Sequence, residues 1–160
     1  MKYYCLKNFH YFLPSFPIVY WKKKVYKWEV VFDNNCRYDL QNEDQLDWNK
    51  LVGVSQHFNP RLNSLRFGWR YNLKTEEIEI ALYSEKNYVF EYKLLTSVKP
   101  TEKLKLSMYF EGDLATVQVN DTTYQTKYTL DKNLTIRCNP YFGGNRTAPH
   151  CMSLKLSKSK

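Results

Sequence analysis

The chain has 160 residues, near the commonest size of one domain, and its 43% hydrophobic and 25% charged residues exclude disorder, collagen and coiled coil. The longest apolar stretch, Phe12 to Trp21, is broken by Pro14 and Pro17 and is too short for a membrane-spanning helix, so no membrane partner is expected. Twenty-four Lys and Arg against sixteen Asp and Glu leave a net charge of +8, which favours anionic partners such as nucleotides, nucleic acid or acidic polysaccharide.

In chain order, residues 1–40 read as an N-terminal extension or edge strands, and 45–156 as the core of a single domain spanning 1–160. The run Trp21-Lys-Lys-Lys-Val-Tyr-Lys-Trp28 mixes cations with aromatics, as a nucleic-acid surface does, but it also suits an edge strand protected by lysines. Val25–Phe32 is a strand candidate. Asn42–Gly53 carries acidic residues early, Lys50 late and Gly53 as a stop, which predicts one short helix or 3₁₀ turn. From Ser64 onward the pattern has period two. Ser64–Tyr71, Ile78–Leu82, Asn87–Val98, Lys103–Phe110, Leu114–Asn120, Thr122–Tyr128, Leu134–Cys138 and Met152–Leu156 all read as half-buried antiparallel strands. Gly112-Asp113 and Asn120-Asp121 read as tight hairpin turns, and Lys74-Thr75 and Ser84–Asn87 as further turns. Nine or ten strands at this spacing predict an all-β fold: one antiparallel sandwich or jelly roll with at most one short helix.

Three segments carry candidate chemistry. In the strand from Ser64, alternation places Leu65, Phe67, Trp69 and Tyr71 on one face and Ser64, Arg66, Gly68 and Arg70 on the other. Arg66 and Arg70 would bracket a gap roughly 13 Å long, suited to bidentate contact with phosphate or carboxylate. The competing role for both arginines is ion pairing across the hairpin with Glu77 and Glu79. The loop Asn139–His150 has Gly143-Gly144 and Pro149, and either presents Tyr141, Asn145, Arg146 and His150 at a sheet edge or closes a corner. With His57 and Tyr83, these residues complete the expected ligand site. No GxSxG, HExxH, P-loop or dinucleotide fingerprint occurs, and the glutamates sit at ordinary outward strand positions, so no catalytic residue is assigned.

The cysteines Cys5, Cys36, Cys138 and Cys151 have no CxxC spacing, so no metal or cofactor is expected and no obligatory disulfide. No secretory signal is visible, and a cytoplasmic location follows as an expectation.

Trp48–Gly53, Ser64–Tyr71 and Pro140–His150 together resemble segments of a group of small proteins from bacteriophages and gut bacteria. The closing segment also resembles the last strand of concanavalin A-like jelly rolls, including some polysaccharide lyases, in which an acid follows the histidine; here that position is Cys151. The resemblance implies the fold, and for phage-encoded proteins a host-cytoplasmic location, while the architecture hosts lectins, lyases and capsid proteins alike. Three functions are therefore in competition. The first is a non-catalytic binding protein for a nucleotide-like, anionic, aromatic ligand, such as a sequestered host signal. The second is a carbohydrate-binding or virion-surface module. The third is a lyase or hydrolase of acidic polysaccharide. Homo-oligomerisation is compatible with all three.

Overall fold

The computed structural model describes residues 1–159. It is a sandwich of two antiparallel sheets. The seven-stranded sheet contains β1 (Lys2–Cys5), β2 (Phe12–Leu13), β4 (Val25–Phe32), β9 (Lys103–Glu111), β10 (Leu114–Val119), β11 (Thr122–Lys127) and β13 (Met152–Lys158). Its order is β11-β10-β9-β4-β13-β1-β2. The six-stranded sheet contains β3 (Val19–Trp21), β5 (Asn49–Ser55), β6 (Asn63–Asn72), β7 (Glu77–Lys86), β8 (Val89–Val98) and β12 (Leu134–Cys138). Its order is β3-β12-β5-β6-β7-β8.

The period-two segments form the strands they predict, and their apolar faces meet between the sheets. Tyr26, Trp28, Val30 and Phe32 of β4 face Leu65, Phe67 and Trp69 of β6 and Ile78, Ile80 and Leu82 of β7 in one core. Trp28 meets Phe67 edge-on, and Phe32 tilts against Trp69 with ring centroids 5.1 Å apart. The hairpins turn at Gly112-Asp113 and Asn120-Asp121, with Gly112 (φ +59°) and Asn120 (φ +51°) in the left-handed region such turns require. The turn expected within Ser84–Asn87 lies slightly later: β7 runs to Lys86, and Asn87 and Tyr88 form the two-residue loop, both with positive φ.

The segment Asn42–Gly53 departs from its sequence reading. A 3₁₀ turn occupies only Glu43–Leu46, capped by Asn42, whose side chain accepts from the Asp44 N–H. From Asn49 the chain is strand β5, because Leu51, Val52 and Val54 are all fully buried and backbone pairing with β6 overrides the helical pattern. A second 3₁₀ turn spans Asn34–Cys36. Within the first 40 residues, β4 lies between β13 and β9 in the middle of its sheet, while β2 and β3 are short edges. The four cysteines are free thiols, with Cys36 Sγ donating to the Ser153 carbonyl; burial pushes Cys5 up to about 11 and Cys36 up to about 12. Among the described residues no helix is long and apolar enough to cross a membrane.

Candidate functional site

The six-stranded sheet turns one face to the core and the other to an open cleft of about 980 Å³. Antiparallel register sets which side chains reach that cleft. Lys50 lies opposite Gly68, Arg66 opposite Tyr83, and Tyr83 opposite Tyr92. Alternation therefore aligns Lys50, Arg66, Tyr83 and Tyr92 on one surface.

Two glycines allow the surface to pack this closely. A Cβ on Gly53 would lie 2.3 Å from the Leu65 carbonyl oxygen and 2.5 Å from Arg66 Cα, so only glycine lets β5 approach β6 beside Arg66. At Gly68 an added Cβ would meet Trp48 Cε3 at 3.4 Å. Trp48 thus lies over Gly68 and fills the gap expected between Arg66 and Arg70. That expectation is corrected: the space is a seat for an indole ring, and Arg70 caps the ring with its guanidinium carbon 4.3 Å from the centroid.

The two arginines have different partners. Arg70 Nε donates to Glu79 at 2.6 Å and Arg70 Nη1 to the Leu46 carbonyl at 2.8 Å, which places it behind Trp48. Arg66 Nη2 donates to Glu85, two residues further along β7 than its register partner Tyr83. Arg61 Nε binds the other oxygen of the same carboxylate at 3.0 Å. Glu85 is thereby held between two guanidinium groups, one buried and one exposed.

Tyr83 is the centre of the cleft floor. Phe90 stacks on it at 5.6 Å with 9° between planes, Lys50 Nζ lies 4.6 Å from its centroid, and Arg66 lies at 5.2 Å. Burial, and next the Glu85 carboxylate, push its hydroxyl up to about 12. Burial, and then the Arg66 charge, lower the Lys50 ammonium to about 8, while its Nζ donates to the Trp48 carbonyl at 2.6 Å. Trp48 carries Tyr92 on its exposed side at 5.4 Å. Among the described residues, Trp48 Nε1 and Arg66 Nε are buried donors that meet no hydrogen-bond partner.

The loop after β12 forms the far wall. Lys50 and Tyr141 exchange two backbone hydrogen bonds at 2.8 Å, and Gly143 N–H donates to Asn49 Oδ1. Gly143 adopts φ +81°, a conformation that only glycine holds without strain. Tyr141 stacks on His10 at 4.9 Å. Four cationic residues, Lys50, Arg61, Arg66 and Arg137, line the cleft with two carboxylates, Asp47 and Glu85.

Of the nine residues expected to form a ligand site, His57, Arg66, Tyr83, Tyr141 and Asn145 line this cleft; Ser64, Arg70, Arg146 and His150 do not. Ser64 is fully buried. Arg146 pairs with Asp44 at 2.7 Å, and His150 Nε2 meets the Asn35 carbonyl at 2.9 Å, away from the cleft. Sequence reasoning missed Trp48, Lys50, Arg61, Glu85, Phe90 and Tyr92. The signal for Phe90 and Tyr92 was available, since they share a strand phase with Tyr83 across a two-residue hairpin. Lys50 was hidden by its helical assignment.

No protein-family model matches the sequence, and none of the curated proteins matches it. Solved structures do match. A functionally unknown protein from Saccharomyces cerevisiae superposes with a TM-score of 0.59 at 9% identity, over 99% of this chain and 88% of that one. Alginate lyase AlyC3 gives 0.55 at 12% identity, over 96% and 67%. The SPRY domain of human HERC1 gives 0.50 at 15% identity, over 96% and 86%. At such identities the likeness shows the fold, a jelly-roll β-sandwich shared with polysaccharide-lyase structures.

Proposed function

We propose that the protein binds an anionic oligosaccharide along the outer face of its six-stranded sheet, without transforming it. One observation carries this reading. Exposed aromatic faces (Phe58, Phe90, Tyr92 and Tyr11) share one open cleft with an excess of cations that includes a largely desolvated lysine. Aromatic faces pack against the apolar faces of sugar rings, and guanidinium and ammonium groups hold the carboxylates. An open cleft suits a chain of several sugars better than a single nucleotide, although the same groups would hold a nucleotide-like ligand.

Calorimetric titration with a polyuronate oligomer, a neutral oligosaccharide of equal length and a cyclic dinucleotide tests the reading. The uronate should bind, with affinity falling as salt is raised and as pH rises through about 8, where Lys50 loses its proton. Lys50→Met should weaken it by roughly tenfold or more, the effect of one charge-assisted contact. Tighter binding of the dinucleotide would replace the sugar by a nucleotide ligand. Equal binding of the neutral oligomer would remove the ionic half of the argument. Unsaturated sugar ends in the uronate incubation would mean elimination rather than simple binding.

A further inference from the structure

We infer that β8 is an edge through which two copies of this chain pair, antiparallel and two-fold symmetric about Tyr92. The free edges of the two sheets differ sharply. β11 exposes Thr122, Thr123, Gln125 and Lys127, and β2 and β3 have only two and three residues. β8 is ten residues long, and Val89, Phe90, Tyr92 and Leu94 are 69%, 56%, 53% and 52% exposed. Long apolar edges are normally blunted by charge, proline or a covering loop, because their unpaired N–H and C=O groups recruit another strand. This one has a single acid and a single base in its exposed stretch, Glu91 and Lys93.

Hydrogen-bond phase and charge select the same register. The two-residue loop Asn87-Tyr88 closes on the pair Lys86–Val89. By antiparallel alternation Glu91 and Lys93 share the phase of Val89 toward β7, while Phe90, Tyr92 and Leu94 turn their backbone groups to the free edge. A two-fold axis at Tyr92 then lets Tyr92 exchange both backbone bonds with Tyr92 of the second copy. It sets Phe90 opposite Leu94, and Glu91 opposite Lys93, twice by symmetry. Opposite charges fall in the closely spaced pairs, where cross-strand interaction is strongest. Lys93 Nζ lies 5.7 Å from the Tyr124 ring, and Tyr124 donates to the Leu95 carbonyl at 2.7 Å, which closes the free edge just beyond Leu94.

Phe90 and Tyr92 also line the cleft, so pairing would make one continuous cleft from two. That extension rests on the binding function proposed above; the pairing itself does not.

Sedimentation equilibrium of the full chain without ligand is the test, with far-UV circular dichroism to confirm folding of each variant. The wild type should run at twice 19.3 kDa. Glu91→Lys replaces two attractions by two repulsions and should raise the dimer dissociation constant by roughly tenfold or more. The double swap Glu91→Lys/Lys93→Glu restores opposite charges in this register alone and should recover dimerisation. A monomeric wild type overturns the inference, as does a dimer indifferent to Glu91→Lys. A folded double swap that stays monomeric overturns the register. Loss of uronate binding with dimerisation intact would count against the binding function instead.

Discussion

The two sheets have the same architecture but treat their outer faces differently. In β4 and β9 of the seven-stranded sheet, burial alternates residue by residue, with Lys27, Lys103 and Lys105 exposed on the outside. In β5 and β6 the alternation disappears: Leu51 to Ser55 and Ser64 to Trp69 are buried without interruption. Among the described residues no further sheet or helix covers that outer face. Side chains of the sheet and its flanking loops do so, with Trp48 over Gly68, Phe90 over Tyr83 and Glu85 clamped by Arg61 and Arg66. A sheet face that is enclosed by aromatics and charges, yet opens into a cleft, holds desolvated polar groups; an alternating polar face leaves its charges in water.

The largest test of this contrast is Glu85→Ala. Removing Glu85 leaves the Arg66 guanidinium, whose side chain is 7% exposed, without its counterion, and stability should fall by about 3–5 kcal/mol in urea denaturation. The matching change on the other sheet, Glu29→Ala, breaks a pair with Lys103 that is 62% exposed and should lose less than about 1 kcal/mol. Equal losses would erase the distinction between the faces. Gly53→Ala comes next. Its methyl group would meet backbone at 2.3 Å, and the resulting overpacking should cost about 1–3 kcal/mol. Gly112→Ala, in an open turn, should lose somewhat less, from its positive φ alone. A further effect concerns pH. Lys50 has its folded-state pKa lowered from 10.5 to about 8, so the folded chain binds fewer protons than the unfolded chain between those values. Its contribution to stability is unfavourable below pH 8 and is relieved as pH rises toward 10.5. Lys50→Met should flatten that part of the stability–pH profile; an unchanged profile would place Lys50 in water rather than in the cleft floor.

The legibility of the sequence follows side-chain chemistry rather than this divide, since β6 and β7 still alternate Arg66, Arg70, Glu77 and Glu79 with apolar residues and were read from that alternation. β4, β9, β10 and β13 could be read directly, because one face of each meets water and the apolar residues recur at period two. β5 could not, because a strand buried on both faces has no alternation to read. The short β1, β2 and β3 had too few residues for a period to emerge. At the site, phase singled out Arg66 on the outward face of β6, and the structure sets Tyr83 opposite it across one hairpin. Phase could not separate Arg66 from Arg70, since both occupy the outward set of β6; their difference is made by Trp48, which arrives from the link between the Glu43–Leu46 turn and β5. Arg70 does meet Glu79, one of the two acids suggested as cross-hairpin partners, because they are register partners. Arg66 instead reaches diagonally to Glu85, beyond the acids near the turn.

The strand order bears on how the chain is assembled in time. β13 lies between β4 and β1, pairing Lys2 with Lys155 and Phe32 with Leu154. During synthesis the hairpins β6–β7–β8 and β9–β10–β11 can close as soon as they leave the ribosome, since each links neighbours in sequence. β1 has no strand to join with β4 until β13 has been made. Contacts so distant along the chain slow folding and leave partly paired sheets exposed meanwhile. During that interval β4, with Tyr26, Trp28 and Phe32 on one face, is an unprotected edge, so a nascent chain stalled before Met152 should be far more prone to aggregation than the finished protein.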